Sequence, residues 1–153
     1  MKIKIGCMDK RLEGYVHLDI DSKTNPDIVS DVCDMRQIKT STVDEIICEN
    51  ILEHVNNALE AMNEMHRVLK DRGRLKIIVP HALNHNFYSS IDHVHGFTYT
   101  TFHQFWQEEH KNYPRFRCVS RKLFLSKKSL QFLANKFPLF IEKLYWLVEP
   151  DRI

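Results

Sequence analysis

Hydrogen-bond acceptors follow the strand-like segments in the first third of the sequence. Asp19 ends one such segment, Asp31 ends the next, and Glu49 and Asn50 end another. The first segment is followed by a glycine, Gly6. Ionised carboxylates only accept hydrogen bonds, so this set suits a ligand with hydroxyl and amino groups, and a glycine allows the backbone to approach that ligand closely. The pattern indicates a binding site for a nucleoside.

The strands that position these residues are predicted from hydrophobic periodicity. Residues 2–6 and 15–20 alternate polar with apolar side chains, which is typical of half-buried strands. Residues 27–32 and 43–50 predict two further strands. In open α/β sheets, ligands lie beyond the carboxyl ends of the strands near the switch in strand order. The acceptors are expected to meet at that edge.

A helix is predicted from Asn57 to Lys70, where apolar residues recur at helical spacing. Asn56 or Asn57 is placed to cap its start, and Gly73 is placed just past its end. The stretch "RLKIIVP" then predicts a strand covered on both faces, because its apolar run is continuous. A strand, a helix and a strand in succession predict a right-handed crossover and a parallel sheet.

The connections after the first two strands are too short for ordinary crossovers. Parallel neighbours are usually joined by roughly a dozen or more residues that include a helix, and the segments after Gly6 and Asp21 fall short of that. We therefore expect a truncated Rossmann-like α/β sheet that lacks the first helices on one face. Lys2, Lys4 and His17 belong to that face, which is expected to be exposed or covered by a partner subunit, as in a homodimer.

Composition favours one compact domain over residues 1–153. The chain is 43% hydrophobic with a net charge of +2, so neither a second domain nor a nucleic-acid partner is expected. No apolar run reaches the roughly 18 to 20 residues of a membrane span, and no signal peptide precedes the first strand. The 4 cysteines show no CxxC spacing, which favours reduced thiols. A soluble, cytoplasmic protein is predicted.

The order of these motifs resembles the class I S-adenosylmethionine-dependent methyltransferases, in particular the small type 11 group. The resemblance runs from about Ile3 to Phe102. "IKIGCMDKRLEGYVHLDID" is similar to the family's glycine loop and acidic second strand, and "VSDVCDM" is similar to its adenine-contacting turn. "VDEIICENILEHV" followed by "ALEAMNEMHRVLKDRGRLKIIVP" is the most specific part, and "DHVHGFTYTTF" resembles the segment after the fifth strand.

The resemblance implies S-adenosyl-L-methionine as the cofactor. Asp19 would hold the two ribose hydroxyls, with Asp21 as the alternative, and Asp31 would accept the adenine amino group. Glu49 and Asn50 would lie at the amino end of the cofactor. The full implied set is Gly6, Cys7, Met8, Asp19, Ile20, Asp31, Val32, Glu49 and Asn50.

The activity implied is methyl transfer to a small-molecule acceptor, by analogy a sugar or another cell-surface precursor. The alternative is a degenerate cofactor-binding module that serves as a partner subunit, because Met8 stands where a fuller family loop has a second glycine. Aspartates after strands are also common turn formers. A nicotinamide site is disfavoured, since that fingerprint needs three glycines. The "DPPY" or "NPPY" motif of DNA amino-methyltransferases is absent.

Histidines concentrate in residues 81–118, which we interpret as a lid-like insertion over the site. His54, His93 and His95 are the candidates for a general base, because a neutral imidazole accepts a proton near pH 7. His93 and His95, with Asp92 and either His81 or His85, are an alternative metal set. No spacing supports that set, so no metal is predicted.

The last part of the chain is harder to assign. "FRCVSRKLFL" predicts a strand, a helix is predicted near Thr101–Glu109, and another is predicted from Ser126 to Lys136. The apolar tail 137–148 fits core packing, a dimer surface or shallow membrane docking.

Overall fold

A computed structural model of the chain describes residues 1–6, 11–107, 112–123 and 135–137. These residues contain a 5-stranded parallel sheet with the order β3-β2-β1-β4-β5. The strands are β1 (Lys2–Ile5), β2 (Val16–Asp19), β3 (Ile28–Val29), β4 (Val43–Glu49) and β5 (Leu69–Ile78). The chain moves outward from β1 to β3 and then returns to place β4 beside β1. The predicted α/β Rossmann-like fold is confirmed, with its switch point between β1 and β4.

Two α-helices are described, α1 (Ala58–Val68) and α2 (His85–Tyr88). Ser22–Thr24 and Thr101–Phe105 form 3-10 helices. In the described residues between β1 and β4, the first of these is the only helical segment, which agrees with the predicted truncation. No described helix has the length and apolar character needed to cross a bilayer.

Helix α1 covers one face of the sheet and closes the core. Its residues Met65 and Val68 are fully buried, as are Ile3 and Ile46 of the sheet face that it covers. Asn57 caps the helix as predicted, with its side-chain oxygen accepting the Glu60 N–H at 3.1 Å. This helix joins β4 to β5, so the predicted crossover unit is present.

The end of α1 differs from the prediction. The helix ends at Val68, and Leu69 adopts extended backbone and begins β5 at once. Gly73, expected just past the helix, lies inside β5, where a register shift between Val43 and Glu45 of β4 interrupts the pairing. An added Cβ there would lie 2.9 Å from the Lys70 carbonyl oxygen, so close backbone approach explains this glycine.

The prediction that Lys4 and His17 lie on an exposed face was wrong. Lys4 is 7% exposed and His17 is 1% exposed. Residues 11–15, the described end of the connection between β1 and β2, approach this part of the sheet, where the Leu12 N–H donates to His17 Nε2 at 2.9 Å. A short loop therefore covers what a helix would normally cover. Lys2 on the same face remains exposed.

The prediction that β5 is covered on both faces was also wrong. Leu75 and Ile77 are half-buried, whereas Arg74 and Lys76 between them are exposed. In the described sheet β5 pairs with β4 alone. The continuous apolar run after Lys76 belongs to the carboxyl end of the strand, which leads into the site.

The segment after β5 packs onto the core. Phe97 and Phe105 are buried, and Phe97 stacks on Phe102 with ring centroids 5.4 Å apart. The helix expected at Thr101–Glu109 is a 3-10 helix ending at Phe105. The strand expected at 116–125 is not formed in its described part, 116–123. Most of the predicted helix 126–136 and the tail after Phe137 lie outside the described residues.

Candidate functional site

Gly6 ends β1 at a point where the backbone is crowded. Its φ is +88°, and an added Cβ would lie 2.6 Å from Ile51 Cδ1. The Gly6 N–H donates to the Leu18 carbonyl at 2.9 Å, which continues the pairing with β2 beyond the strand. Only glycine combines this conformation with this close approach at low cost. Cys7 and Met8, which follow it, lie outside the described residues.

Asp19 is the last residue of β2 and lies half-buried at the carboxyl edge of the sheet. Its Oδ1 accepts the Asp21 N–H at 2.9 Å, so this aspartate also forms the turn after the strand. Asp21, the alternative ribose ligand, instead caps the 3-10 helix through the Lys23 N–H. Ile20, the next residue, is 69% exposed.

Asp31 lies two residues beyond β3 and is exposed. Its Oδ1 accepts the Cys33 N–H at 2.8 Å, and the neighbouring Val32 side chain is buried in the core. Burial and the nearby Asp31 carboxylate raise the pKa of the Cys33 thiol to about 11. This thiol is therefore protonated at neutral pH and is unsuited to act as a nucleophile.

Glu49 and Asn50 end β4 beside the switch point. Asn50 has a φ of 51°, and its N–H donates to the Ile78 carbonyl of β5 at 2.9 Å. The strand therefore turns sharply at Asn50, whose side chain lines a cavity of about 370 Å³. The cavity lining is Asn50, Glu53, His54, Val79, Pro80, Asn84, Ser89 and His93.

Two of the three candidate histidines meet in this cavity. The rings of His54 and His93 have centroids 4.6 Å apart in an edge-to-face arrangement. His54 Nδ1 lies 2.9 Å from Asp92 Oδ2, and His93 Nδ1 lies 2.7 Å from the Phe87 carbonyl oxygen. A hydrogen bond from the Ser90 hydroxyl, the Asp92 backbone and His54 hold the pKa of the Asp92 carboxyl below its usual range. Asp92 is thus an anion that orients His54.

His95 is separated from this pair. Its Nε2 lies 3.2 Å from the Asn56 carbonyl oxygen, and its ring lines a second cavity of about 160 Å³. That smaller cavity is lined largely by apolar side chains, including Leu59, Met62 and Phe102. Asp19 and Asp31 line neither of the two cavities.

The sequence reasoning gave no role to Glu53, the central residue of "LEH". Glu53 is 1% exposed, and its Oε2 accepts no hydrogen bond within the described part of the chain. Burial raises the pKa of its carboxyl group. The Val94 N–H donates to the Glu53 carbonyl at 2.7 Å, which holds the histidine segment against the end of β4. The sequence feature that could have indicated burial of Glu53 is its position between the apolar residues Leu52 and Val55.

The comparison with protein families fits this geometry. Residues 11–77 match the family model described as "Methyltransferase domain". This segment is therefore similar to methyltransferase domains. The match confirms the resemblance to the class I S-adenosylmethionine-dependent methyltransferases, and it supports S-adenosylmethionine-dependent methyl transfer in general. Asp19, Asp31, Glu49 and Asn50 lie inside the matched methyltransferase domain, whereas His93 and His95 lie beyond it.

The chain is also similar to a curated protein, "Uncharacterized protein MJ0638" from Methanocaldococcus jannaschii. The two are 49% identical over 41 residues, which are 27% of this chain. The matched segment spans only 18% of that relative.

Proposed function

We propose that the protein transfers a methyl group from S-adenosylmethionine to a small-molecule acceptor that binds in the cavity beside β4. The observation that carries this proposal is the gathering of Gly6, Asp19 and Asn50 at the carboxyl edge of a sheet ordered β3-β2-β1-β4-β5. That edge, at the switch point between β1 and β4, is where open α/β sheets bind their ligands.

The residues at the ends of β1 and β2 fit a nucleoside. At Gly6 the chain turns with positive φ and without a side chain, with Ile51 packed directly against it, so the backbone at the end of β1 is open to close approach by a ligand. Asp19 offers a carboxylate to the ribose hydroxyls, and the exposed Ile20 offers an apolar surface to the adenine. Asp31 and the Val32 amide would contact the adenine edge, and Glu49 would receive the amino end of the cofactor.

The chain's own contribution to the chemistry is alignment and proton removal. S-adenosylmethionine supplies, when bound, a methyl carbon activated by its sulfonium. The site walls must hold the acceptor atom in line with that carbon and exclude water. His54 and His93 lie in the same cavity as Asn50, so either imidazole can take the proton that a hydroxyl acceptor loses. The Asp92 carboxylate stabilises the positive charge that His54 would gain.

The cavity favours a polar acceptor. Its volume of about 370 Å³ lies within the range of small-ligand sites, roughly 300 to 1,000 Å³, and Asn50, Asn84, Ser89 and the two histidines offer hydrogen bonds. A hydroxyl-rich molecule such as a sugar fits this lining. His93 comes from the segment 81–118, which we propose covers the bound substrates as a lid.

A second candidate is a cofactor-binding module that acts as a partner subunit, in a homodimer for example. The observation that favours it is the absence of an α-helix in the described residues between β1 and β4. Helix N-terminal amides at that position usually hold the cofactor's carboxylate. Without them the affinity for the cofactor would be lower.

Calorimetric titration with S-adenosylmethionine and S-adenosylhomocysteine tests the proposal. We expect both to bind and Asp19→Ala to weaken binding about 10- to 100-fold, because hydrogen bonds to a charged group contribute about 1.5–3 kcal/mol. Asp71→Ala, which removes an exposed carboxylate on β5, is the control and should bind like the wild type. Equal affinity of Asp19→Ala and wild type would contradict the ribose assignment. Binding without turnover of any sugar acceptor would favour the partner-subunit candidate.

A further inference from the structure

We propose that Glu53, His54 and His93 bind a divalent transition-metal cation. One ligand atom from each of these residues lies within 4.8 Å of the others. Ligand atoms around a tetrahedral metal at about 2.1 Å lie roughly 3.4 Å apart, so side-chain shifts of about 1 Å or less in each residue would close the site. The three residues come from the turn after β4 and from the segment after α2. They differ from the metal set considered from the sequence, which lacked Glu53.

The hydrogen bonds of both imidazoles are compatible with metal ligation. His54 Nδ1 is bound to the Asp92 carboxylate and His93 Nδ1 to the Phe87 carbonyl, so in both rings the Nδ1 proton is held by an oxygen. The lone pair then resides on Nε2, which is the nitrogen left to coordinate a cation. Metal-binding histidines almost always donate their other N–H to a carboxylate or a carbonyl in this way.

Glu53 supplies the independent observation that points to a cation. Its side chain is 1% exposed, and Oε2 is buried with no hydrogen-bond partner in the described residues. A buried carboxylate oxygen without a partner is costly unless a positive charge or a donor satisfies it. A metal ion held with His54 and His93 would provide that charge.

The donor set selects the kind of metal. Two imidazoles and one carboxylate form the ligand set of catalytic zinc sites, and of iron sites with open positions. Mg²⁺ and Ca²⁺ prefer oxygen ligands, so Zn²⁺ and Co²⁺ are favoured here. The remaining coordination positions would face the cavity of about 370 Å³. In the metal-bound form His54 and His93 would be ligands and not bases, and the cation itself would lower the pKa of a hydroxyl acceptor in the proposed methyl transfer.

Metal binding can be tested without methyl transfer. Titration of the full chain with Co²⁺, followed by visible absorption and calorimetry, should give one site per chain, and Zn²⁺ should displace the Co²⁺. We expect Glu53→Gln and His93→Gln each to weaken binding at least tenfold. Asp92→Asn should weaken binding 10- to 100-fold by loosening His54 without removing a ligand. His66→Gln, an exposed histidine on α1, is the matched control and should bind like the wild type.

The result that overturns the proposal is a wild-type Co²⁺ affinity and spectrum in Glu53→Gln and His93→Gln, which would mean adventitious binding elsewhere. Absence of any Co²⁺ or Zn²⁺ binding to the wild type would overturn it as well. If circular dichroism shows that Glu53→Gln does not fold, the Co²⁺ affinities of His93→Gln and of Asp92→Asn, which lies at an exposed position, test the proposal instead. The affinity for S-adenosylhomocysteine is measured in parallel, so a loss of the metal site is distinguishable from a failure of the nucleoside proposal.

Discussion

The two halves of the sheet are built differently. In the half that contains β4, α1 and β5, the strands have 7 and 10 residues, and a helix of 11 residues covers them. In the half that contains β2 and β3, the strands have 4 and 2 residues, and the described connections are turns and one short 3-10 helix. In the first half Val43, Ile46 and Met65 are fully buried, and in the second half the carboxylates of Asp19, Asp21 and Asp31 accept hydrogen bonds from backbone amides.

The same difference separates the two parts of the site. The acceptor side has a buried glutamate and two oriented histidines beside the longer strands. The proposed nucleoside side has carboxylates at the ends of the shorter strands, with Asp19 half-buried and Asp31 exposed. Three measurements test this difference between the two halves.

The largest effect is expected from Met65→Ala in α1. Met65 is fully buried against the sheet, and such truncations cost about 2–5 kcal/mol of unfolding free energy because they remove apolar burial and leave a cavity. Ile28→Ala in β3, where the side chain is only half-buried, should cost less than about 2 kcal/mol. Urea unfolding followed by circular dichroism measures both. Equal losses of unfolding free energy in the two variants would show that the two halves of the sheet contribute equally to stability.

A smaller effect is expected from Gly6→Ala, with Gly14→Ala as its matched control. Both glycines have positive φ, 88° and 80°, so each alanine carries backbone strain of about 1–3 kcal/mol. At Gly14 no atom lies within 4 Å of the added Cβ, whereas at Gly6 Ile51 Cδ1 lies 2.6 Å away. Gly6→Ala should therefore be the more destabilising.

Gly6→Ala should also weaken S-adenosylhomocysteine binding in calorimetry, because its methyl group would collide with Ile51 and displace the chain at the end of β1. Gly14→Ala should leave that affinity unchanged. Identical stability and affinity for the two variants would mean that Gly6 is needed only for its backbone conformation.

The fold was predictable where one local pattern determined it. The helical spacing from Asn57 onward and its capping asparagine placed α1 to within a residue at its start. The exposure of Lys4 and His17 was not predictable from alternation, because a loop contact from Leu12, remote from the strand pattern, buries His17. The end of α1 was missed since Gly73 is required by close backbone approach in β5 and not by a helix cap.

The candidate site was predictable only in part. Strand ends placed Asp19, Asp31 and Asn50 at one edge, because parallel strands share their carboxyl ends. Sequence order did not show that His54 and His93 would meet while His95 would face another cavity, since that depends on the path of the chain after β5. The buried environment of Glu53 likewise arises from tertiary contacts.

The smallest effect is expected from an ion pair at the amino end of β4. Lys70 of β5, and secondarily the Met1 amino group, lower the pKa of the Asp44 carboxyl to about 2. Because this pKa lies below the ordinary value of an aspartate carboxyl, the pair stabilises the fold above about pH 4, and that contribution is lost as the pH falls toward 2. Asp44→Asn should flatten the acid dependence of unfolding slightly, since the pair is exposed and screened. Asp71→Asn, whose nearest cation is 3.9 Å away, is the control. A larger loss for Asp44→Asn than for Ile28→Ala would mean that charge contributes more than packing to holding the strands together.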